Sequence, residues 1–385
     1  MTLQQAPESA TSHREGRLAI VLIWAVSHLV VLGAAVVGSW QSLPESDRFG
    51  AYVGLWRQWD TNWFESIALY GYVGPYVSEV QNFHYNVAFF PAVPMLMEAG
   101  AWVGFAPTLS GLLVSLVASL FAAFGIARLT QDVGGRPVWG VVAMLVAPTA
   151  LFLTAAYTEA LFAAFAIWAW AFARKQSWVW AGVLAGGAAL VRSNGLFLMA
   201  GLIVMFLMSR PWAPANARRA WAKGSALLLP LVATFAYFAY LKAITGSWTT
   251  WSEAQSDYWE RHLVDPATSL MNTYHLIFTF SPTGEPSSRM ATEILAMAIL
   301  VAAAVVLVVK RWWPEAVYVA VTAAALGTST MYHSVPRSIV ILFPIWMLLG
   351  LWLSRYRWLR WVYVITCVPV LVLVTIRFTQ SQWIS

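Results

Sequence analysis

A chain of 385 residues that is 60% hydrophobic and 10% charged is not an ordinary soluble globule, where about 25% charged residues is usual. Its net charge of +6 comes without a basic patch on a soluble domain, which excludes a nucleic-acid-binding module, so no nucleic acid is expected as partner. Runs of about 20 apolar residues recur from Leu18 to the C-terminus, each long enough to cross a bilayer. The fold class is all-α, a polytopic helical membrane protein with membrane lipids as neighbours.

The 23 tryptophans suit interfacial belts, where an apolar ring with one polar edge is best placed. The one cysteine, Cys367, lies in an apolar run and makes no intrachain disulfide. Polar Met1–Arg17 leads into Leu18–Gly38, which is too long for a signal-peptide core and lacks a small-residue cleavage site, so it reads as an uncleaved anchor. Further candidate spans are Leu109–Leu129, Val138–Ala156, Ala160–Ala173, Trp178–Leu190, Leu196–Met208, Ser225–Lys242, Ala291–Val309, Ala316–Thr330, Ile339–Leu353 and Leu359–Ile376. Ala88–Phe105 is apolar enough to cross, yet it opens with Phe90-Pro91-Ala92-Val93-Pro94 and carries Glu98.

The positive-inside rule decides that case. With a cytoplasmic N-terminus and Ala88–Phe105 not crossing, the clusters around Arg128, Arg174, Arg218, Lys310 and Arg355 all fall inside, and most acids fall outside. The expectation is eleven crossings forming a single transmembrane domain over residues 1–385, with Ala88–Phe105 along or dipping into the outer surface. Residues 39–108 form a first outer loop with surface helices and 244–290 a second. The turns Tyr157-Thr158-Glu159, Arg192-Ser193-Asn194-Gly195 and Tyr332–Arg337 join them on that side. Chemistry belongs there, because the inner loops carry basic residues and little else.

The richest stretch is Trp56–Pro94. Trp56, Trp59, Trp63, Ile67 and Tyr70 recur at three- and four-residue steps, as in a short interfacial helix. Asp60 lies among these indoles, where partial desolvation favours a usable general base; the alternative is a helix cap or a surface pair with Arg57. Glu65 is on a different face of the helix. His84 suits phosphate binding, proton relay or loop capping. The prolines after Phe90 break helix geometry where backbone lines a cavity.

Glu159 opens a span just after Tyr157, and an ionisable group there is costly unless it faces a cavity or a partner. Arg192, followed by Asn194 in a tight turn, offers planar donors for phosphate oxygens or for lipid headgroups. His333 and Arg337 form a pair able to clamp an anionic leaving group. The aromatic, acidic loop Trp248–His262 looks like an acceptor or lid element. No zinc-type, paired-cysteine or Asp-x-Asp spacing occurs, nor a phosphate-cradling glycine loop, so no metal ligands are assigned and nucleotides are not expected as direct substrates.

The string Trp59-Asp60 … Ile67-Ala68 … Gly71-Tyr72 … Ala88-Phe89-Phe90-Pro91 … Pro94 resembles the signature of the GPI mannosyltransferase II (PIG-V type) family. So do Pro148-Thr149-Ala150-Leu151-Phe152 with Tyr157-Thr158-Glu159, and Arg192-Ser193-Asn194-Gly195, in the same order. The resemblance covers Trp56–Leu198 well and the C-terminal half loosely; a Tyr76–Tyr85 stretch is extra. It implies a GT-C glycosyltransferase with its active site outside; the short loops and the high Ala, Val and Trp content suit a prokaryotic form at the plasma membrane. Such an enzyme takes mannose from a polyprenyl-phosphate-mannose donor with inversion and passes it to a lipid, glycan or protein acceptor. Asp60 takes the base position. Arg337, Arg192 and His333 are expected on the donor phosphate. Arg57, Trp59, Trp63, Glu65, His84, Phe90, Tyr157, Glu159 and Asn194 are expected to bind or support substrate, with no cofactor required. A flippase of a lipid-linked sugar, or a non-catalytic subunit of a mannosyltransferase complex, is the rival expectation.

Overall fold

The computed structural model describes residues 10–39, 43–73, 83–213, 217–278, 288–382 and 384. These form helices and turns; the extended pairing among them is an isolated antiparallel bridge between Leu263 and Ser329. Five helices are long and apolar enough to cross a bilayer: Gly16–Ser39, Pro107–Asp132, Ala217–Thr245, Arg289–Val309 and Arg357–Thr379. Four of these are buried over 28% or less of their most apolar window. Their apolar side chains therefore face outward, toward a solvent that cannot be water. The chain is an integral, multi-pass membrane protein.

In order, the main helices are α1 (Ala10–Ser39), α2 (Asp60–Tyr70), α3 (Ala92–Trp102), α4 (Pro107–Asp132), α5 (Pro137–Leu145), α6 (Glu159–Arg174), α7 (Trp178–Val191) and α8 (Asn194–Met208). They continue with α9 (Leu229–Thr245), α10 (Pro266–Phe278), α11 (Ser288–Val309), α12 (Trp313–Gly327), α13 (Val335–Val340), α14 (Phe343–Arg355) and α15 (Arg357–Thr379). The packing core is α4 against α6, α6 against α7, and α7 against α9; α5 packs on α14, and α8 on α12. Alanines such as Ala163, Ala166 and Ala169 are buried on α6. Small residues let helix backbones approach where no hydrophobic effect drives association. One close crossing is α5 on α14, where a Cβ added to Gly350 would lie 2.7 Å from Gly140 Cα.

Two expected spans are broken, and both breaks lead to the site. Val138–Ala156 is not one helix: α5 stops at Leu145 and a 3₁₀ turn runs Pro148–Leu153, because Pro148 has no N–H to continue the ladder. The freed carbonyls are answered from other helices. Ser27 Oγ donates to Leu145 O at 2.7 Å, Ser115 Oγ to Ala155 O at 2.6 Å and Thr61 Oγ1 to Ala156 O at 3.2 Å. Irregular backbone at membrane depth is tolerable only with such partners. Ile339–Leu353 likewise divides into α13 and α14 before Pro344; Trp346 Nε1 donates to Val340 O at 2.9 Å and Tyr318 OH to Ile341 O at 3.1 Å. Within Ala88–Phe105, α3 has 11 residues, about 16 Å, roughly half the hydrocarbon thickness. It buries Val93, Pro94 and Met97 and exposes Met95, Leu96 and Trp102.

Candidate functional site

Asp60 is the first residue of α2, and Trp59 before it has φ +48°. A left-handed tryptophan costs on the order of 1–3 kcal/mol and persists only where its surroundings fix it. Here they do: Tyr157 OH donates to Gln58 O at 3.1 Å. This corrects the expected helix through Trp56. The chain reverses at Trp59, Trp56 is fully buried with its ring 6.2 Å from Phe378, and only from Asp60 do the apolar positions follow a helix. Asp60 thus sits at a helix N-terminus, where a carboxylate is favoured.

The neighbour that governs Asp60 is a guanidinium rather than an indole. Arg337, on the short α13, donates from Nη1 to Asp60 Oδ2 at 2.5 Å and from Nε to Glu159 Oε1 at 2.5 Å. Its cation stands 4.4 Å from the centre of the Tyr157 ring. Glu159, fully buried at the start of α6, also receives Arg192 Nη1, which donates to Thr158 Oγ1 at 2.9 Å as well. Arg192 Nε donates to Asn194 Oδ1 at 3.4 Å. Asp60, Arg337, Glu159 and Arg192 therefore alternate in sign along one chain of ion pairs. Positions 60, 159, 192 and 337, scattered over the sequence, meet at one place.

The network forms part of the wall of a cavity of about 270 Å³, just below the ~300–1,000 Å³ usual for ligand pockets. Phe89, Phe90, Asn194, His333, Trp259 and Arg261 also line it. Phe90 is held in place because Tyr237 OH donates to Val87 O and Phe89 O, at 2.8 and 2.7 Å, and Tyr72 OH to Phe89 O at 2.8 Å. Trp63 stands behind this wall, stacked on Tyr85 at 5.1 Å and edge-on to Trp259 at 6.2 Å. The loop Trp248–His262 covers the cavity with Trp251, Gln255, Trp259 and Arg261.

Of the expected members, Arg57, Trp59, Trp63, Glu65, Tyr157 and Glu159 do not line the cavity themselves. Glu65 accepts Thr108 Oγ1 at 2.6 Å and pairs with Arg57 Nε at 3.1 Å, so Arg57 serves Glu65 rather than Asp60. This pair ties α2 to the start of α4. The side chain of His84 and residues 76–82 of the Tyr76–Tyr85 stretch lie outside the described residues.

Two residues were not singled out from sequence. Arg261 is one; a cation inside an otherwise acidic, aromatic loop was its signal. Glu293 is the other: it is fully buried and accepts Ser334 N–H at 2.9 Å and Val335 N–H at 2.7 Å, capping α13 and so aiming Arg337. A lone carboxylate in an apolar span was its signal.

The electrostatics follow from this packing. Burial works against the charge of Arg337, but the fields of Asp60 and Glu159 outweigh it and raise its pKa above that of a free guanidinium. Arg192 is pulled the other way, by burial first, with Glu159 opposing and the like charge of Arg337 adding to the shift. Burial, together with the nearby Arg261, Arg289 and Arg337, pushes His333 down to about 3, so it stands neutral. Among the described residues, no three of His, Cys, Asp and Glu converge as metal ligands.

The fold and site define a helical membrane protein with a polar cavity lined by Asp60, Arg192, Arg261 and Arg337. No family model matches the chain. Over 216 residues it is 33% identical to GPI alpha-1,6-mannosyltransferase 2 of Mus musculus, an alignment covering 50% of this chain and 42% of that protein. The chain thus spans under half the length of the curated relative it matches.

Proposed function

We propose that the chain is a membrane glycosyltransferase of GT-C type that moves mannose from a polyprenyl-phosphate donor to an acceptor hydroxyl, with inversion, on the non-cytoplasmic face. The observation that carries this reading is Asp60 at the wall of a polar cavity beside Arg337, Arg192 and Arg261. The partial likeness to a mannosyltransferase supports it, and the distribution of basic loops supports the face.

In the proposed step the acceptor oxygen attacks the anomeric carbon while Asp60 takes its proton. The bond from that carbon to the phosphate oxygen breaks, and its electron pair stays on the phosphate. Guanidinium groups fixed where this charge develops stabilise the transition state without reorganising. His333, neutral at rest, serves as a hydrogen-bond partner to the same oxygens. A phosphate is already a good leaving group, so the step calls on no cofactor. The prenyl tail is assigned to an apolar groove of about 710 Å³ lined by Leu96 of α3 with Val117, Phe121, Phe165 and Trp168.

The test uses purified full-length protein with polyprenyl-phosphate-[¹⁴C]mannose and a membrane extract as acceptor. Wild type should label a product, and Asp60→Asn should lower transfer by about 10²–10⁴-fold with unchanged gel-filtration behaviour. Full turnover by Asp60→Asn refutes the base assignment; no transfer by wild type refutes the donor.

A further inference from the structure

The cavity beside Asp60 is continuous in its lining with a second one. This neighbour, about 640 Å³, is walled by hydroxyl and charged groups including Thr249, Ser252, Glu253, His262 and Ser329. Trp251, Gln255, Arg261 and His333 line both. The boundary between the two spaces is thus built around Arg261.

The charges at that boundary do not cancel. Arg337 answers Asp60, and Arg192 answers Glu159. Arg261 lies in the field of Asp60 and of both arginines, yet among the described residues it has no carboxylate at ion-pair distance and no side-chain hydrogen bond. Next to it, Trp259 lines the first cavity and carries a buried indole N–H without an acceptor among the described residues. A buried donor left unmatched costs about 1–3 kcal/mol. A planar cation where two cavities meet, with an N–H donor on the wall of the first, suits a ligand with several anionic oxygens.

We propose that Arg261 and Trp259, on the loop over the cavity, form an anion subsite for the phosphate of the prenyl-linked donor, while Arg192 and Arg337 remain engaged with Glu159 and Asp60. The inference rests on the donor assignment above and changes which cation bears the phosphate. Arg337 cannot leave its two carboxylates without stranding Asp60 as an unpaired, largely buried charge and leaving Glu159 to Arg192 alone; Arg261 has no carboxylate to give up among the described residues.

The experiment is equilibrium binding of farnesyl phosphate to detergent-purified full-length protein, with farnesol, inorganic phosphate and phosphatidylglycerol as comparison ligands. Wild type should bind farnesyl phosphate. Arg261→Ala should weaken it about 10- to 100-fold, the range for a lost charge-assisted bond. Arg261→Lys should lose less, and Trp259→Phe, which removes the N–H together with the five-membered ring, about 2- to 10-fold. Farnesol should bind wild type and Arg261→Ala alike, which shows that the variant is folded. Farnesyl phosphate binding that is equal in wild type and Arg261→Ala overturns this inference and leaves the donor reading intact. No binding by wild type overturns both. Equal competition by inorganic phosphate or phosphatidylglycerol marks a general anion or headgroup site and overturns the donor assignment of the subsite.

Discussion

Replacing Arg337 by alanine is the most informative single change, because one side chain holds two carboxylates. Its Nε and Nη1 each donate at 2.5 Å, to Glu159 and Asp60. Its side chain is 10% exposed, against 14% for Asp60 and 0% for Glu159. Breaking a buried pair by removing one partner costs about 3–5 kcal/mol, because an uncompensated charge stays behind. The lost contact with the Tyr157 ring belongs to the same unit and is not added separately. At about 2–4 °C per kcal/mol for a large domain, the midpoint of thermal unfolding in detergent should fall by roughly 6–20 °C. Partial recovery is expected in the double variant Asp60→Asn with Arg337→Met, in which the carboxylate left without a partner goes together with its cation while Arg192 still answers Glu159. Arg337→Lys should recover less, since an ammonium is a point charge and not a fork that spans two acceptors. A fall of under about 1 kcal/mol for Arg337→Ala, or no recovery in the double variant, would refute the reasoning that a buried charge network holds this end of the bundle.

Two further outcomes follow from the same geometry. His333 is neutral in the folded protein with its pKa held down to about 3, while in the unfolded chain it takes a proton near 6.5. Below about 6.5 the unfolded state binds the extra proton, so stability should drop as pH falls from about 6.5 toward 3. His333→Asn should flatten that slope when unfolding is followed against pH, and an unchanged slope would remove His333 as its source. Gly195 closes the Arg192 turn, and a Cβ there would lie 2.5 Å from both Ala189 Cα and Ala189 N, which are backbone atoms and cannot swing aside. Gly195→Ala should therefore cost about 1–3 kcal/mol and lower transfer by displacing Arg192. Wild-type stability and turnover in that variant would contradict the close approach of α7 and α8.

Asp60, Glu159, Arg192 and Arg337 were each legible as ionisable residues at the edges of apolar runs, but nothing in their spacing said that they touch. Arg57 shows the opposite failure: three residues from Asp60 in sequence, it turns to Glu65 because the chain reverses at Trp59. The broken spans escaped a hydropathy reading because Val138–Ala156 is apolar throughout. Hydropathy records only the solvent a segment tolerates, whereas the break depends on Pro148 and on hydroxyls that arrive from Ser27 and Ser115. Arg261 was passed over since loop charges normally face water, and only the folded loop turns this one over the cavity.

The sequence by itself determined the solvent of this protein and its helical class. An apolar chain in a bilayer must satisfy its backbone internally, and that constraint acts locally, residue by residue. Tertiary structure alone decided which charges pair, where helices yield to irregular backbone, and that Arg261 faces the cavity with no carboxylate at ion-pair distance among the described residues. Those outcomes depend on distances of 2.5–3 Å between residues as far as 277 positions apart, and such distances exist only once the helices have packed.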